Sequence, residues 1–178
     1  MEILAAIIGL LGAVVGAILG AILTHKTSKR ISKETYRNNL TYEIVKYFNS
    51  QEFLYILQVL QEIKYTLWKE EKGKKLVNFF IPVQDLDRPE EEVMKNDLTV
   101  HQNLTLYLRF LSQIYWYLKD NSVNKDLIQR IIIHEHYSWY RDFFNDFIEE
   151  YERVCKENLI NPNRVTWYSA LKEFNLLL

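Results

Sequence analysis

The chain has 178 residues, a length that accommodates one membrane span and one compact domain with its own core. Its single cysteine, Cys155, excludes an intramolecular disulfide and a CxxC metal or redox site, so we expect an unreactive thiol on a helix surface or in the core. The net charge of −1 divides into −1 from Glu2, +4 over residues 24–37 and −4 over residues 38–178. A mildly acidic domain does not match the charge of a nucleic-acid backbone over its whole surface, and a local basic groove is the alternative that the sequence leaves.

The first element in chain order is an apolar segment, residues 3–23, which contains no charged side chain. As an α-helix it measures about 31 Å, the thickness of the hydrocarbon core of a bilayer. No basic residue precedes it and several follow, so it differs from a cleavable signal peptide, and the positive-inside bias places the following chain in the cytoplasm. The sequence therefore predicts a transmembrane helix over residues 1–24 and a cytoplasmic domain over residues 25–178.

Four of the five glycines lie in this predicted span, where they form one smooth side. The glycine face, as we define it, consists of Gly9, Gly12, Ala13, Gly16 and Gly20, with larger aliphatic residues opposite. Because small residues let helix backbones approach closely in lipid, we expect self-association, either as a dimer or as a ring around a central opening. An apolar pore can gate by dewetting, and the span offers no ionisable group for an ion site or proton relay. The simplest alternative is that glycine is merely common in spans.

Five basic residues follow the span at helical spacing and would share one side of a continuing helix. This basic stripe consists of Lys26, Lys29, Arg30, Lys33 and Arg37. Neither glycine nor proline interrupts the chain between Gly20 and Gly73, so we predict that the helix continues to about Phe48. Headgroup anchoring is the simplest role for the stripe, and a charged vestibule or an RNA contact are alternatives.

The rest of the chain shows helical periodicity and no alternating strand pattern. Helices are predicted over residues 51–72, 97–119 and 125–157, the last kinked near residues 134–138, and a final helix follows Asn161-Pro162-Asn163 and runs through Leu176. Residues 74–96 contain two prolines and are predicted to be irregular. Most aromatic residues fall at core spacing, which favours packing over base stacking. The sequence therefore predicts an all-α bundle.

Few residues carry a recognisable chemical motif. Glycine-rich phosphate loops and the common hydrolase and metalloprotease motifs are absent from the sequence, and we expect no cofactor and no metal. His134 and His136 form an HxH pair, but on a helix their side chains diverge by about 200°, so joint metal binding requires a break. His101 is expected to be a surface or satisfied core histidine.

Arg130 and His136 are separated by five residues, a spacing that resembles the R-x4-6-H motif of HEPN-type helical domains. The resemblance implies that the arginine would stabilise phosphate charge and the histidine would exchange protons during RNA cleavage. Active members usually carry a polar residue after the arginine, whereas this chain has Ile131. We therefore treat the two residues as divergent candidates and expect no enzymatic activity.

The complete layout combines a glycine-rich span, a basic helix and an all-α domain with a divergent R-x5-H. This layout resembles that of the small membrane accessory proteins of type VI-B CRISPR loci. The resemblance implies a HEPN-like cytoplasmic bundle and a homo-oligomeric ring, for example an octamer, in the bacterial inner membrane, with a periplasmic N-terminus. It also implies depolarisation of the membrane in support of an RNA-guided, RNA-targeting nuclease during antiviral defence; direct RNA binding stays open. A membrane-tethered scaffold of a defence complex and a membrane-tethered HEPN-type ribonuclease are the alternatives.

Overall fold

A computed structural model describes residues 2–89, 94 and 96–177, with the side chains of residues 2–19, 71 and 72 outside the description. Within these residues the chain is helical and contains no β-strand, which confirms the all-α prediction. The α-helices are α1 (Glu2–Phe48), α2 (Gln51–Tyr65), α3 (Glu71–Lys74), α4 (Val100–Lys119), α5 (Lys125–Ile128), α6 (Arg141–Glu157) and α7 (Thr166–Leu177). A π-helical segment covers Gln129–His134, and 3₁₀ segments cover Leu67–Lys69, Lys75–Phe80, Tyr137–Tyr140 and Pro162–Arg164.

The chain divides into two compact units, residues 1–40 and residues 41–178. The predicted continuation of the first helix to Phe48 is confirmed for the backbone. In the part of the chain that the structure describes, we find no helix that combines the length and the apolar character required to cross a membrane. Most of the predicted span, including Gly9, Gly12, Ala13 and Gly16, lies among the side chains outside the description, so the span stays a prediction.

Side-chain caps define where several helices of the second unit begin. The Ser50 hydroxyl accepts from the amide of Phe53 at 3.2 Å at the start of α2. At the start of α4, Thr99 and Gln102 form a capping box in which each side chain accepts from the other residue's backbone amide. Such caps satisfy amides that the first turn of a helix leaves unpaired.

The helix predicted over residues 51–72 ends earlier, at Tyr65, because the chain turns back on itself. Gly73 lies so close to the backbone of Leu67 that a Cβ atom at position 73 would stand 1.9 Å from the Leu67 carbonyl oxygen. Leu54 and Tyr65, two apolar residues of this helix, are 48% and 55% exposed.

The irregular stretch predicted over residues 74–96 contains one 3₁₀ segment and a loop held together by Arg88. The Arg88 guanidinium donates to the carbonyl oxygens of Asn78, Ile81 and Val83 at 3.0–3.4 Å. Lys75 forms an ion pair with Asp87 at 2.7 Å. One arginine thus donates to three carbonyls of this segment, and the Asn78 carbonyl also accepts from the amide of Ile81 at 3.3 Å.

The core of the second unit is dominated by aromatic rings, as the core spacing predicted. The ring of Phe144 stacks on Tyr107 of α4 and on Tyr137, with centroids 5.7 and 5.4 Å apart. Phe147 packs on Trp167 of α7 at 5.5 Å. These contacts join α4, α6 and α7 around one apolar centre.

Candidate functional site

The segment between Asn124 and Tyr140 is the least regular part of the second unit, and it carries both residues of the divergent motif. Asn124 caps α5, which gives way after one turn to the π-helical segment. The amide of Glu135 donates to the carbonyl of Arg130, five residues earlier, at 2.9 Å. The wider turn lets Ile132 and Ile133 both be fully buried. The predicted break near residues 134–138 is therefore confirmed.

The break separates the two motif residues. Arg130 is exposed, whereas the imidazole of His136 lies in a cage of aromatic rings. Its ring centroid is 5.0 Å from Phe48, 5.2 Å from Tyr140 and 6.0 Å from Tyr107. Among the described residues, no hydrogen bond joins the guanidinium to the imidazole, and Arg130 does not contribute to the pKa shift of His136.

Burial also changes the acid–base chemistry of His136. Desolvation lowers the pKa of its imidazole to about 4, because a charged ring is disfavoured among aromatic groups. The ring is therefore neutral at pH 7. A neutral imidazole of such low basicity is poorly suited to protonating a leaving group near neutral pH.

Two polar atoms in this cage lack hydrogen-bond partners. Among the described residues, neither Nε2 of His136 nor the hydroxyl of Tyr107 has one. Tyr107 is completely buried, and desolvation raises its pKa. Buried polar groups are normally satisfied, so this cage departs from ordinary core packing.

A polar network fixes the 3₁₀ segment that follows the break. The Tyr137 hydroxyl donates to Oδ1 of Asn175 at 2.9 Å, and Nδ2 of Asn175 donates to Oδ1 of Asn145 at 2.6 Å. The three side chains therefore connect the segment to α6 and α7, and the network explains why Tyr137 can be buried without losing a hydrogen bond.

The remaining histidines show no metal-binding arrangement. His134 is exposed while His136 is caged, so the HxH pair points to two different environments despite the break. His101 stacks on Phe79, with ring centroids 4.4 Å apart. A search of the described residues finds no group of three metal-ligating side chains.

Cys155 lies in the core, one of the two environments that the sequence left open. It is fully buried, and burial raises the pKa of its thiol. A buried thiol with a raised pKa forms little thiolate at neutral pH and is unreactive.

An exposed aromatic cluster was not predicted from the sequence. The side chain of Trp139 is 70% exposed, and its carbonyl accepts a hydrogen bond from the ammonium of Lys64. The same ammonium lies 4.8 Å from the ring centroid of Tyr65 and 5.4 Å from that of Tyr140. Helical periodicity could not find this cluster, because the 3₁₀ turn at residues 137–140 shifts the phase of the pattern.

The first unit carries the basic stripe and one described member of the glycine face. Lys26, Lys29, Arg30 and Lys33 are exposed, and Arg37 is half-buried. A Cβ atom added at Gly20 would meet nothing within 4 Å among the described residues. The remainder of the glycine face lies outside the residues whose side chains are described.

Comparisons with protein-family models, with curated protein sequences and with solved structures give no match for this chain. Its function is therefore argued from its own residues and from the resemblance in layout.

Proposed function

We propose that this protein is a membrane-anchored effector that self-assembles into a ring-like pore and depolarises the bacterial inner membrane in support of an RNA-guided, RNA-targeting nuclease. One observation carries the proposal: a single helix, α1, begins in the glycine-rich apolar segment, continues through the basic stripe and ends at Phe48 in the second unit. A chain organised in this way offers a span, a headgroup contact and a cytoplasmic domain in one continuous element.

The end of α1 is part of the core of the second unit, which supports its role as an anchor for that domain. The Thr41 hydroxyl accepts from the amide of Asn124 at 2.8 Å, and Ile44 is buried. Phe48 contacts the rings of Phe53 and Phe110, with centroids 5.4 and 6.1 Å apart.

Self-association through the glycine face supplies the physical basis of a ring. Lipid gives helices no hydrophobic reason to associate, so the energy comes from close packing of backbones along small residues. A leucine on that face would hold two backbones apart by the thickness of its side chain. The same leucine on the opposite face would meet lipid tails.

The site around Arg130 and His136 gives less support to the ribonuclease alternative. The low pKa and the aromatic cage of His136 disfavour proton transfer, and Arg130 faces a different environment. If the alternative is right, Arg130→Ala abolishes RNA cleavage by a protein that remains folded. The HEPN-like character of the bundle stays a prediction.

The scaffold alternative draws on one observation, the exposed cluster of Trp139 and Tyr65 beside Lys64. Exposed aromatic side chains are frequent anchors at protein interfaces. A scaffold retains its function when an unrelated membrane helix replaces residues 1–24, whereas a pore formed by the glycine face does not.

The first experiment follows the membrane potential with a voltage-sensitive dye in bacteria that express the protein together with an RNA-guided nuclease and its target. We expect depolarisation with the wild type, loss of it with Gly16→Leu, and retention with Val15→Leu, which adds bulk on the aliphatic side. The three proteins are compared at equal abundance in the membrane fraction. An unchanged potential with the wild type under this trigger contradicts the pore.

A further inference from the structure

The part of α1 between Thr24 and Asn39 has two opposed polar faces. Four cations of the basic stripe, Lys26, Lys29, Arg30 and Lys33, fall within an arc of about 100° on one side. The opposite side, which we call the hydroxyl–amide face, consists of Thr24, Thr27, Ser28, Ser32, Thr35, Asn38 and Asn39, with Ile31 as its one apolar member. Every one of these side chains is exposed. The segment therefore has no continuous apolar stripe with which to pack on a protein core.

The four cations are available for a partner. The structure shows no ion pair between them and any carboxylate among the residues it describes, although Glu34 lies nearby in sequence. Arg37 is set apart from this group because it is half-buried and makes an interaction of its own. Four exposed cations on one helix face attract an anionic surface rather than a single small anion.

The position of the stripe along α1 identifies that surface. At 1.5 Å per residue, Lys26 lies about 5 Å beyond Leu23, the last residue of the apolar segment, and Lys33 about 15 Å beyond it. The headgroup layer next to the hydrocarbon core is roughly 5–8 Å thick. Long basic side chains can also reach back toward it along the helix. Lys26 thus lies at headgroup depth. Lys29 and Arg30 lie roughly 9–11 Å beyond Leu23 and reach the layer with their long side chains, and Lys33 lies about one Debye length from it.

The angular positions of residues around the axis of α1 also show which side of the apolar segment each polar face continues. Gly20 falls on the side of the hydroxyl–amide face, while Ile22 falls on the side of the basic stripe. Over so few residues the phase of a regular helix drifts little. The basic stripe therefore continues the aliphatic side of the span, and it turns toward lipid in an assembly joined through the glycine face, whose arc overlaps the hydroxyl–amide face only along one edge.

We propose that Lys26, Lys29, Arg30 and Lys33 bind the phosphate groups of anionic phospholipids in the cytoplasmic leaflet, and that this face is the lipid-contacting side of α1. The inference rests on the membrane anchor of the proposed function and adds its lipid partner and its rotational orientation. Each basic residue near an anionic membrane surface strengthens the attraction about fivefold.

The test uses the full chain reconstituted into vesicles of phosphatidylcholine and phosphatidylglycerol in a 3:1 ratio, a composition of our choosing. Spin-labelled analogues of the two lipids measure which lipid contacts the protein. We expect phosphatidylglycerol to be enriched about threefold or more at low salt, an effect that decreases as ionic strength rises. A variant that carries glutamine at positions 26, 29, 30 and 33 is expected to bind both lipids equally.

A control variant of equal net charge distinguishes the effect of the helix side that carries the cations from the effect of net charge. It combines those four glutamines with Ser28→Lys, Ser32→Lys, Thr35→Lys and Asn39→Lys, which move the stripe to the opposite side of the same helix. We expect this variant to lose the enrichment although its net charge is that of the wild type. Equal enrichment in the relocated variant, or in the glutamine variant, overturns the proposal.

Two further outcomes are distinguishable. Co-flotation with vesicles reports the anchor separately: a chain that fails to co-float overturns both the proposed function and the lipid proposal. A chain that co-floats without a lipid preference overturns the lipid proposal alone. Binding of fluorescent polyuridine by the wild type but not by the glutamine variant, without lipid enrichment, would instead make the stripe a nucleic-acid contact.

Discussion

Helix α4 and the stretch from Lys125 to Glu157 are both rich in apolar residues, yet only α4 is a continuous α-helix. A capping box starts α4, and it continues to Lys119 without interruption. The other stretch passes through one α-helical turn, a π-helical segment and a 3₁₀ segment before α6 begins at Arg141. Both regions place side chains at the centre of the same core, so burial alone does not decide regularity.

The two regions differ in the spacing of the side chains that they bury in the core. The buried side chains of α4 recur mainly at intervals of three and four, which is the period of an α-helix. The other stretch presents three consecutive isoleucines, which a regular α-helix would spread over about 200° of its surface. The wider π turn admits two of them to the core, and in the break that follows Nε2 of His136 has no hydrogen-bond partner among the residues that the structure describes. Apolar burial outweighs helical regularity here.

The largest expected effect comes from removing the ring that joins the two regions. Phe144 is fully buried between Tyr107 of α4 and Tyr137 of the 3₁₀ segment. Phe144→Ala should lower the free energy of unfolding by about 3–5 kcal/mol, because it removes apolar contact and leaves a cavity. Urea unfolding of the full chain, followed by circular dichroism, measures it, and Phe144→Leu should cost clearly less. A loss below about 1 kcal/mol for Phe144→Ala would show that the two regions are not joined there.

Lowering the pH should weaken the irregular region through His136. Its pKa is about 4 in the folded protein, whereas an unfolded chain binds the proton near pH 6.5. Between these values the unfolded state holds more protons, so stability is complete above about pH 6.5 and decreases as the pH falls toward 4. The shift corresponds to roughly 3 kcal/mol.

The control for this pH dependence is His136→Phe, which keeps a ring in the cage and removes the titrating group. Carboxylates also titrate in this range, so the informative quantity is the difference in slope between wild type and variant. Unfolding experiments at pH 4.5 and pH 7 measure it. Identical slopes would mean that the imidazole is charged or solvated in the folded state, in conflict with its position in the aromatic cage.

The sequence predicted the regular elements well because their signals are local. The uninterrupted run to Phe48 and the end of α4 at Lys119 each depend on residues only a few positions apart, although α4 starts at Val100 and not at the predicted residue 97. The early end of α2 depends instead on Gly73 meeting Leu67 across a reversal of the chain. A glycine in a helical pattern reads as an ordinary C-terminal stop, so the sequence alone could not show that close approach.

The candidate site was predictable only in its position along the chain. The spacing of Arg130 and His136 in the sequence indicated a motif. It could not show that the His136 side chain lies in a cage formed by Phe48, Tyr107 and Tyr140. Those rings come from three separate elements, and the pKa of His136 follows from their packing. Residues distant in sequence decide the chemistry of this histidine.

A smaller effect should come from the cap that makes α4 regular. Thr99→Ala removes the side chain that accepts from the amide of Gln102, and it should cost about 1 kcal/mol of stability. Arg109→Ala, an exposed substitution on the same helix, should change stability by less than about 0.5 kcal/mol. Thermal or urea unfolding distinguishes the two. Equal effects would indicate that the start of α4 is set by core packing and not by its cap.

The smallest expected effect is a gain in stability, and it comes from a substitution in α4 at the aromatic cage around His136. Within the described structure the Tyr107 hydroxyl is buried and lacks a hydrogen-bond partner, so folding removes it from water without compensation. Tyr107→Phe keeps the stacked ring and removes that penalty, and it should stabilise the protein by up to about 1 kcal/mol. Tyr137→Phe is the matched control, because the Tyr137 hydroxyl donates to Asn175 and its loss should destabilise. If both variants are destabilised alike, Tyr107 has a hydrogen-bond partner in solution, and the cage is an ordinary satisfied core. Opposite signs for two tyrosines that flank the same phenylalanine would show that the folded core satisfies the Tyr137 hydroxyl and leaves the Tyr107 hydroxyl unsatisfied.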